Sequence, residues 1–309
     1  MRAGPRRRGL NEPDRGNVVT EAGVAGRSGD WVIDRLLRAL IGVGLMLPYR
    51  WRVPVAGWVF SRILSPLAGY DRRVRDNLAL IRPDLPPSEV RRMMRAVPEN
   101  VGRTLIEIYS GPDFVAHVTR LPLTGPGLAA LDEAAATGRP VILVTGHFGN
   151  YDASRAALIA RGFRVGALYN PMANPHFNAH YVDAISRIGT PLFARGKTGL
   201  SGMVRFLRAG GMLGLLIDQR MGRGEKLQFF GHEALTALSA AELALKYGAL
   251  VVPTYGIRQP NGLDFKIVIE APIPQGTPEA MTQALNDSLE AVVRDHMDQW
   301  FWIHRRWKP

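Results

Sequence analysis

His147 and Asp152 are the pair whose types and spacing could do acid–base chemistry. They lie in the stretch VILVTGHFGNYD, Val141 to Asp152. A carboxylate bonded to one ring nitrogen of a histidine fixes its tautomer and leaves the other nitrogen free as a base. Such a base could take the proton from a hydroxyl attacking an acyl group. Spacing limits how the two can meet. Five residues on an α-helix rotate by roughly 500°, which leaves the side chains about 140° apart. Contact therefore requires His147 to sit in a turn, and Gly149 permits one. The plain alternative is a loop histidine followed by an aspartate that caps a helix, since H-x-x-x-x-D recurs by chance.

The flanking residues supply the elements that hold this pair. Val141 to Val144 is a run of four β-favouring apolar residues, a short buried strand. Thr145-Gly146 ends it, and Ala153 to Arg161 reads as a helix. His147 thus stands where a strand ends, the edge at which open α/β sheets bind ligands. Downstream, strand and helix patterns alternate. Strands are expected at Arg164 to Leu168, Pro191 to Phe193, Met212 to Ile217 and Leu250 to Ile257. Helices are expected at His176 to Ile188, Leu200 to Ala209, Leu238 to Tyr247 and Pro278 to His296. Phe265 to Glu270 alternates as an antiparallel or edge strand would. The alternation implies an α/β fold, a mostly parallel sheet covered by helices. Upstream, a helix from Ser88 to about Tyr109 is expected to kink at Pro98, with Val101, Leu105 and Ile108 turned to the core.

Other polar groups fall at strand ends. Asn150 follows the first strand, and Asn170 the second, with Asn174 and Asn178 beyond it. They could hold sugar hydroxyls or phosphate, or they could simply shape turns. Arg195-Gly196-Lys197-Thr198-Gly199 places two cations and two glycines at a helix start, a plausible phosphate site, without the full spacing of a nucleotide P-loop. Asp218-Gln219-Arg220 ends another strand, and Arg223 and Lys226 extend a basic loop. Asp218 could orient Arg195, bind a sugar amine or cap a turn. Neither His232 nor His304 has a second ligand at recognisable spacing, so no metal is expected. Phe229-Phe230-Gly231 with the small residues of Ala234 to Ala244 suits an acyl groove or helix packing equally.

His-Phe-Gly-Asn-Tyr-Asp resembles the signature of the lipid A biosynthesis acyltransferases, the lauroyl and myristoyl transferases of Gram-negative bacteria. The wider glycerolipid acyltransferases share H-x-x-x-x-D/E. The likeness runs from about Asp71 to Lys308. It includes LYNPMANPHFN (Leu168 to Asn178), LLIDQRMGRG (Leu215 to Gly224), QFFGHEALTALSAAELA (Gln228 to Ala244), LVVPTYGIR (Leu250 to Arg258) and QWFWIHRRWK (Gln299 to Lys308). One departure is Asp152, where these transferases often carry Glu. The resemblance implies an acyltransferase fold, with His147 as general base and Asp152 as its orienting carboxylate. It implies a donor acyl thioester on acyl carrier protein and, as acceptor, a Kdo-bearing tetraacyl disaccharide bisphosphate. It implies no cofactor, a phosphate contact from Arg195, and Asp218 at the active-site face. Another membrane lipid, such as a phosphatidylinositol mannoside, a lysophospholipid or an aminolipid, is the alternative acceptor.

Composition agrees with a lipid setting. The chain has 309 residues, 46% of them hydrophobic, enough for a sizeable packed core. With no cysteine, disulfides, thiolate catalysis and Cys-ligated zinc are excluded, which fits a reducing compartment. A net charge of +12 suggests a polyanion, but no nucleic-acid module is present and the basic residues flank apolar segments. Residues 1–30 read as a disordered basic leader, 31–70 as a membrane-associated helical segment and 71–309 as the acyltransferase domain. Within Trp31 to Tyr70, the unbroken apolar run Ala39 to Leu47 is far short of the roughly 20 residues of a spanning helix. Trp31, Trp51 and Trp58 suit a bilayer interface, so two short helices lying in the membrane surface are expected. The resemblance implies an inner-membrane anchor here, with the catalytic domain on the cytoplasmic face.

Overall fold

The computed structural model describes residues 28–220 and 224–307. The basic leader, with Arg2, Arg6, Arg7 and Arg8, lies outside the described residues apart from its last three positions, which already begin a helix. Arg223 is outside them as well.

The chain opens with helices α1 (Ser28–Leu45) and α2 (Tyr49–Val59), a π-helical turn over Phe60–Leu64, and α3 (Ser65–Ala68). Then come α4 (Tyr70–Ile81), α5 (Pro87–Tyr109) and α6 (Pro112–Val118). The sheet region follows as β1 (Leu123–Thr124), α7 (Leu128–Thr137), β2 (Val141–Thr145), α8 (Tyr151–Ala160), β3 (Val165–Tyr169), α9 (Pro175–Ile188), β4 (Leu192–Ala194), α10 (Lys197–Arg208) and β5 (Met212–Leu216). A hairpin of β6 (Glu225–Phe229) and β7 (His232–Thr236) precedes α11 (Ser239–Tyr247), β8 (Leu250–Arg258), β9 (Phe265–Ile269) and α12 (Pro278–Asp295).

Seven strands form one sheet in the order β1-β9-β8-β2-β5-β3-β4. β8, β2, β5, β3 and β4 are mutually parallel, and β9 runs antiparallel to β8, as its alternating pattern suggested. The sheet is a middle layer. Val141, Leu143, Val165, Met212 and Val252 pack to one side with Ala153, Ala156, Ala157 and Leu158 of α8. Ile142, Val144, Leu213, Leu215 and Val251 pack to the other with Ala240, Ala241 and Ala244 of α11 and Met281 and Leu285 of α12. Burial on both faces explains why β2 is apolar at successive positions instead of alternating. Register then decides the site. Thr145 is opposite Leu216 in the parallel β2–β5 pair, so the residues two beyond each strand end, His147 and Asp218, emerge side by side.

α5 runs through Pro98 as one helix. Two local expectations are amended. On α5 it is Ile108 that is fully buried, with Val101 and Leu105 only half-buried, because a polar stripe described below takes the innermost face. Phe229-Phe230-Gly231 is a hairpin turn and not an acyl groove. Phe230 and Gly231 both have positive φ, 55° and 73°, as a two-residue hairpin turn with matching twist requires. Phe229 and Phe230 are buried against Trp300, Trp302 and Trp307.

α1 packs on α2, α5 and α9, and α2 packs along α5. Among the described residues no helix is long and apolar enough to cross a membrane.

Candidate active site

The loop after β2 is shaped by what crowds it. Phe148 turns inward, fully buried, and its backbone pairs antiparallel with Trp300. Gly149 donates its N–H to Gln299 O at 3.0 Å, and Phe301 donates to His147 O at 3.0 Å. The segment after α12 therefore acts as a short extra strand that pins the loop from outside the sheet. Gly149 has φ 52°, and a Cβ there would lie 2.0 Å from Gly256 O. Only glycine fits, for conformational and steric reasons together. Asn150 ends the loop as the N-cap of α8, its Oδ1 accepting from Asp152 N at 2.9 Å. Of these side chains His147 is the one turned to solvent, with its side chain 27% exposed.

The carboxylate that meets His147 belongs to Asp218. His147 Nδ1 lies 2.8 Å from Asp218 Oδ1, and the His147 backbone N–H donates to Oδ2 at 2.7 Å. A third donor, Trp300 Nε1, reaches Oδ2 at 2.9 Å. Burial opposes charge on this aspartate, yet the neighbouring His147 and the donated hydrogen bonds hold its carboxyl below the usual carboxylate range. An ionised carboxylate only accepts, so Nδ1 carries the proton and Nε2 presents a lone pair. Gln219 Nε2 lies 3.3 Å from that nitrogen. Aromatic rings of Tyr151 and Phe301 flank the imidazole, with centroids at 5.5 and 5.8 Å.

The expected His147–Asp152 contact is not made. α8 begins at Tyr151, so Asp152 lies in its first turn and points into the protein. There its Oδ1 accepts from Arg155 Nε at 2.7 Å, and Arg155 also donates to Gly189 O and Ile185 O. Sequence proximity lost to strand register: β5 lies beside β2 and delivers Asp218 at the right height.

A buried polar network supports the loop from below. Asn100, Thr104 and Glu107 recur at helical spacing on α5 and all are buried. Asn100 Nδ2 and Thr104 Oγ1 donate to Gly149 O at 3.1 and 2.8 Å. Glu107 accepts two bonds from Arg258, at 2.6 and 2.7 Å, and one from Asn150 Nδ2 at 2.8 Å. Arg258 Nε closes the network on Asn100 Oδ1 at 2.8 Å. Sequence reasoning passed over this set. Its signal was a polar stripe alternating with an apolar one along α5, and that pattern ordinarily marks a wet face.

The remaining expected site residues divide. Asn150 is fully buried with its amide engaged on both sides, so it shapes the loop and does not face a substrate. Asn174 caps α9 and donates to Asp30 O at 2.7 Å, and Asn178 accepts from Met172 N at 2.9 Å, so both order the β3–α9 loop. Asp218, expected to orient Arg195 or bind a sugar amine, is committed to His147. Lys226 pairs with Glu233 across the hairpin. Asn170, Arg195 and Arg220 are exposed at the carboxyl edge of the sheet. Arg195 follows β4, three strands from β2, or about 14 Å along that edge. Arg220 is nearer, directly after Asp218-Gln219, and its N–H donates to His304 Nε2 at 2.8 Å. Burial lowers the His304 ring below its ordinary value.

A cavity lies between α8 and the sheet. It is small, about 40 Å³, and its wall mixes Leu143, Ala167, Gly214 and Leu216 with Thr145, Tyr151 and the Asp152–Arg155 pair. A Cβ at Gly214 would meet only Gly166 O, at 3.5 Å, so that glycine leaves real space in the wall.

Comparison with known proteins agrees with these features. A family described as bacterial lipid A biosynthesis acyltransferase matches residues 28–309. The chain is 25% identical over 275 residues to the phosphatidylinositol mannoside acyltransferase of Mycobacterium tuberculosis (strain ATCC 25618 / H37Rv), covering 82% of this chain and 86% of that protein. It is 24% identical over 245 residues to the lipid A biosynthesis lauroyltransferase of Escherichia coli (strain K12), covering 76% and 78%. It is 26% identical over 180 residues to a lipid A biosynthesis acyltransferase of Haemophilus influenzae, covering 57% and 56%. With a match that takes in β2, the His147 loop, Asp218 and the closing segment at Trp300, this chain belongs to the bacterial lipid A biosynthesis acyltransferase family and is an acyltransferase.

Proposed function

We propose that this enzyme transfers an acyl chain from a thioester on acyl carrier protein to a hydroxyl of a Kdo-bearing lipid A precursor. The observation that carries the mechanism is the bond between His147 Nδ1 and Asp218, which leaves Nε2 free on a side chain turned to solvent. The acceptor oxygen attacks the thioester carbonyl carbon while Nε2 takes the hydroxyl proton. The tetrahedral intermediate expels the thiolate, which recovers that proton from the imidazolium. An ester and a free thiol result. Asp218 fixes the tautomer and balances the transient positive charge.

The acceptor lipid is approached from a membrane surface. Trp31, Trp51 and Trp58 are 50%, 57% and 55% exposed, and Met46 and Leu67 are more than four-fifths exposed. Exposed Arg35, Arg50 and Arg62 are interspersed with them, a pattern suited to an anionic bilayer. Asn174, in the loop after β3, holds Asp30 of α1, so this apolar surface adjoins the catalytic edge. An inner-membrane location with the active site on the cytoplasmic face fits that arrangement. Exposed Arg195 and Arg220 line the same edge and suit acidic sugars and phosphates.

A second acceptor class is a phosphatidylinositol mannoside or a related membrane lipid. What supports it is the likeness to the mycobacterial relative, which spans 82% of this chain and 86% of that protein. The test is direct. The full chain is given lauroyl- or myristoyl-acyl carrier protein with either the Kdo-bearing tetraacyl disaccharide bisphosphate or a phosphatidylinositol mannoside, and products are read by mass spectrometry. A penta-acylated disaccharide supports the first reading, and acylated mannoside alone replaces it with the second. Flotation with phosphatidylglycerol vesicles tests the membrane surface. Binding that is unchanged by Trp51→Ser with Trp58→Ser would discard that surface.

A further inference from the structure

We infer that Trp300 is a positioning residue that tunes the His147–Asp218 pair through its indole N–H; this rests on His147 being the general base. Trp300 is 1% exposed and lies in an aromatic cluster, edge-on to Trp302 at 4.7 Å and against Phe229 at 5.4 Å and Trp307 at 5.7 Å. Its backbone is paired to Phe148. The ring therefore has little freedom, and its one polar atom points at Asp218 Oδ2, 2.9 Å away. Packing alone needs no N–H here, because phenylalanine, leucine or methionine would satisfy an aromatic cluster.

The effect of that N–H follows from the charges around the carboxylate. Asp218 faces His147 from the β2 loop and Trp300 from the closing segment. His304 and Arg306 of the same segment act on it through space, as does the Tyr255 hydroxyl of β8. His147 itself faces Tyr151, Phe301 and the Gln219 amide. When His147 is neutral, Asp218 carries an unbalanced charge and the Trp300 bond is at its strongest. When His147 is protonated, the aspartate is partly neutralised by its partner and the same bond gains less. Trp300 therefore stabilises the neutral imidazole, the form that accepts a proton. It also fixes the carboxylate rotamer, since Oδ2 then receives donors from two elements.

Two variants separate this role from packing. Trp300→Phe removes the N–H along with part of the ring. Replacing Trp300 by β-(3-benzothienyl)alanine, an isostere with sulfur in place of the N–H, removes only the donor. In both, loss of the fixed carboxylate rotamer is expected to lower plateau kcat about 10-fold, the scale of one hydrogen bond, with acceptor KM little changed, while the weaker hold on the neutral imidazole acts separately, on the pH profile. The acidic limb of the pH–rate profile should move to higher pH. If the benzothienyl enzyme keeps the native kcat and pH profile, or loses activity with the profile unmoved, the inference is overturned. His147→Ala is measured alongside. An inactive His147→Ala beside a normal benzothienyl enzyme removes this inference alone, whereas an active His147→Ala removes the general-base reading beneath it.

Discussion

Replacing Glu107 by alanine should damage this enzyme more than any change of an exposed charge. Glu107 is fully buried and Arg258 nearly so, with side chains 0% and 6% exposed. Truncation strands a guanidinium that loses both its bonds to the carboxylate and leaves Asn150 Nδ2 without its acceptor. Breaking a buried ion pair by removing one partner costs about 3–5 kcal/mol. In a chain of this size that lowers Tm by about 5–8 °C. The double variant Glu107→Leu with Arg258→Met removes both charges, and apolar replacement of a buried pair is often tolerated. It should recover part of the lost stability, short of the native value because Asn100 and Asn150 still lack partners. Activity should not return with it, since the network is what anchors Gly149 O and the α8 cap. Urea unfolding and steady-state turnover on the same preparations read both effects. A Glu107→Ala enzyme within about 1 kcal/mol of native, or a double variant with native kcat, would refute the reasoning.

Gly149→Ala forces a Cβ to within 2.0 Å of Gly256 O at a residue with φ 52°. It should cost more than the roughly 1–2 kcal/mol of the left-handed conformation alone, and turnover should fall with stability in one set of melts and assays. His304 gives a pH dependence. Burial lowers its folded value, so below about pH 6.5 the unfolded chain binds a proton that the folded chain resists, and stability falls as pH is lowered. His304→Gln should flatten that part of the curve, read as urea midpoints between pH 7.5 and 5.5.

β2, the turn at Gly149 and the helix after Asp152 were legible in the sequence because each has a local cause: an apolar β-favouring run, a glycine, a helix-favouring run from Ala153. Most of the later strands and helices were legible for the same reason, through their periodicity. His147 stood out as a strand-end histidine, and Asp218 as a strand-end acid. What joined them was not local. Chain order puts β3, α9, β4 and α10 between them, while the sheet order places β5 next to β2. Asp152 was the natural partner by spacing, and the short α8 turned it onto Arg155 instead. The stripe Asn100, Thr104 and Glu107 was visible as polarity, but sequence does not distinguish a wet stripe from one that meets Arg258 in the interior. The β6–β7 hairpin was missed because Phe230 takes a positive φ that its residue type does not announce.

The central claim is that Asp218, and not Asp152, completes the pair with His147. The most direct measurement is the turnover of Asp218→Asn and Asp152→Asn, each with lauroyl-acyl carrier protein and the acceptor identified by mass spectrometry, normalised to the folded fraction. Asp218→Asn should lose about 10² to 10⁴ in kcat while remaining folded, since an amide cannot hold the Nδ1–H tautomer or balance the imidazolium. Asp152→Asn should lose stability, through the unpaired Arg155, and keep most of its turnover per folded molecule. A folded Asp152→Asn enzyme without activity, beside an Asp218→Asn enzyme at near-native kcat, would contradict the account.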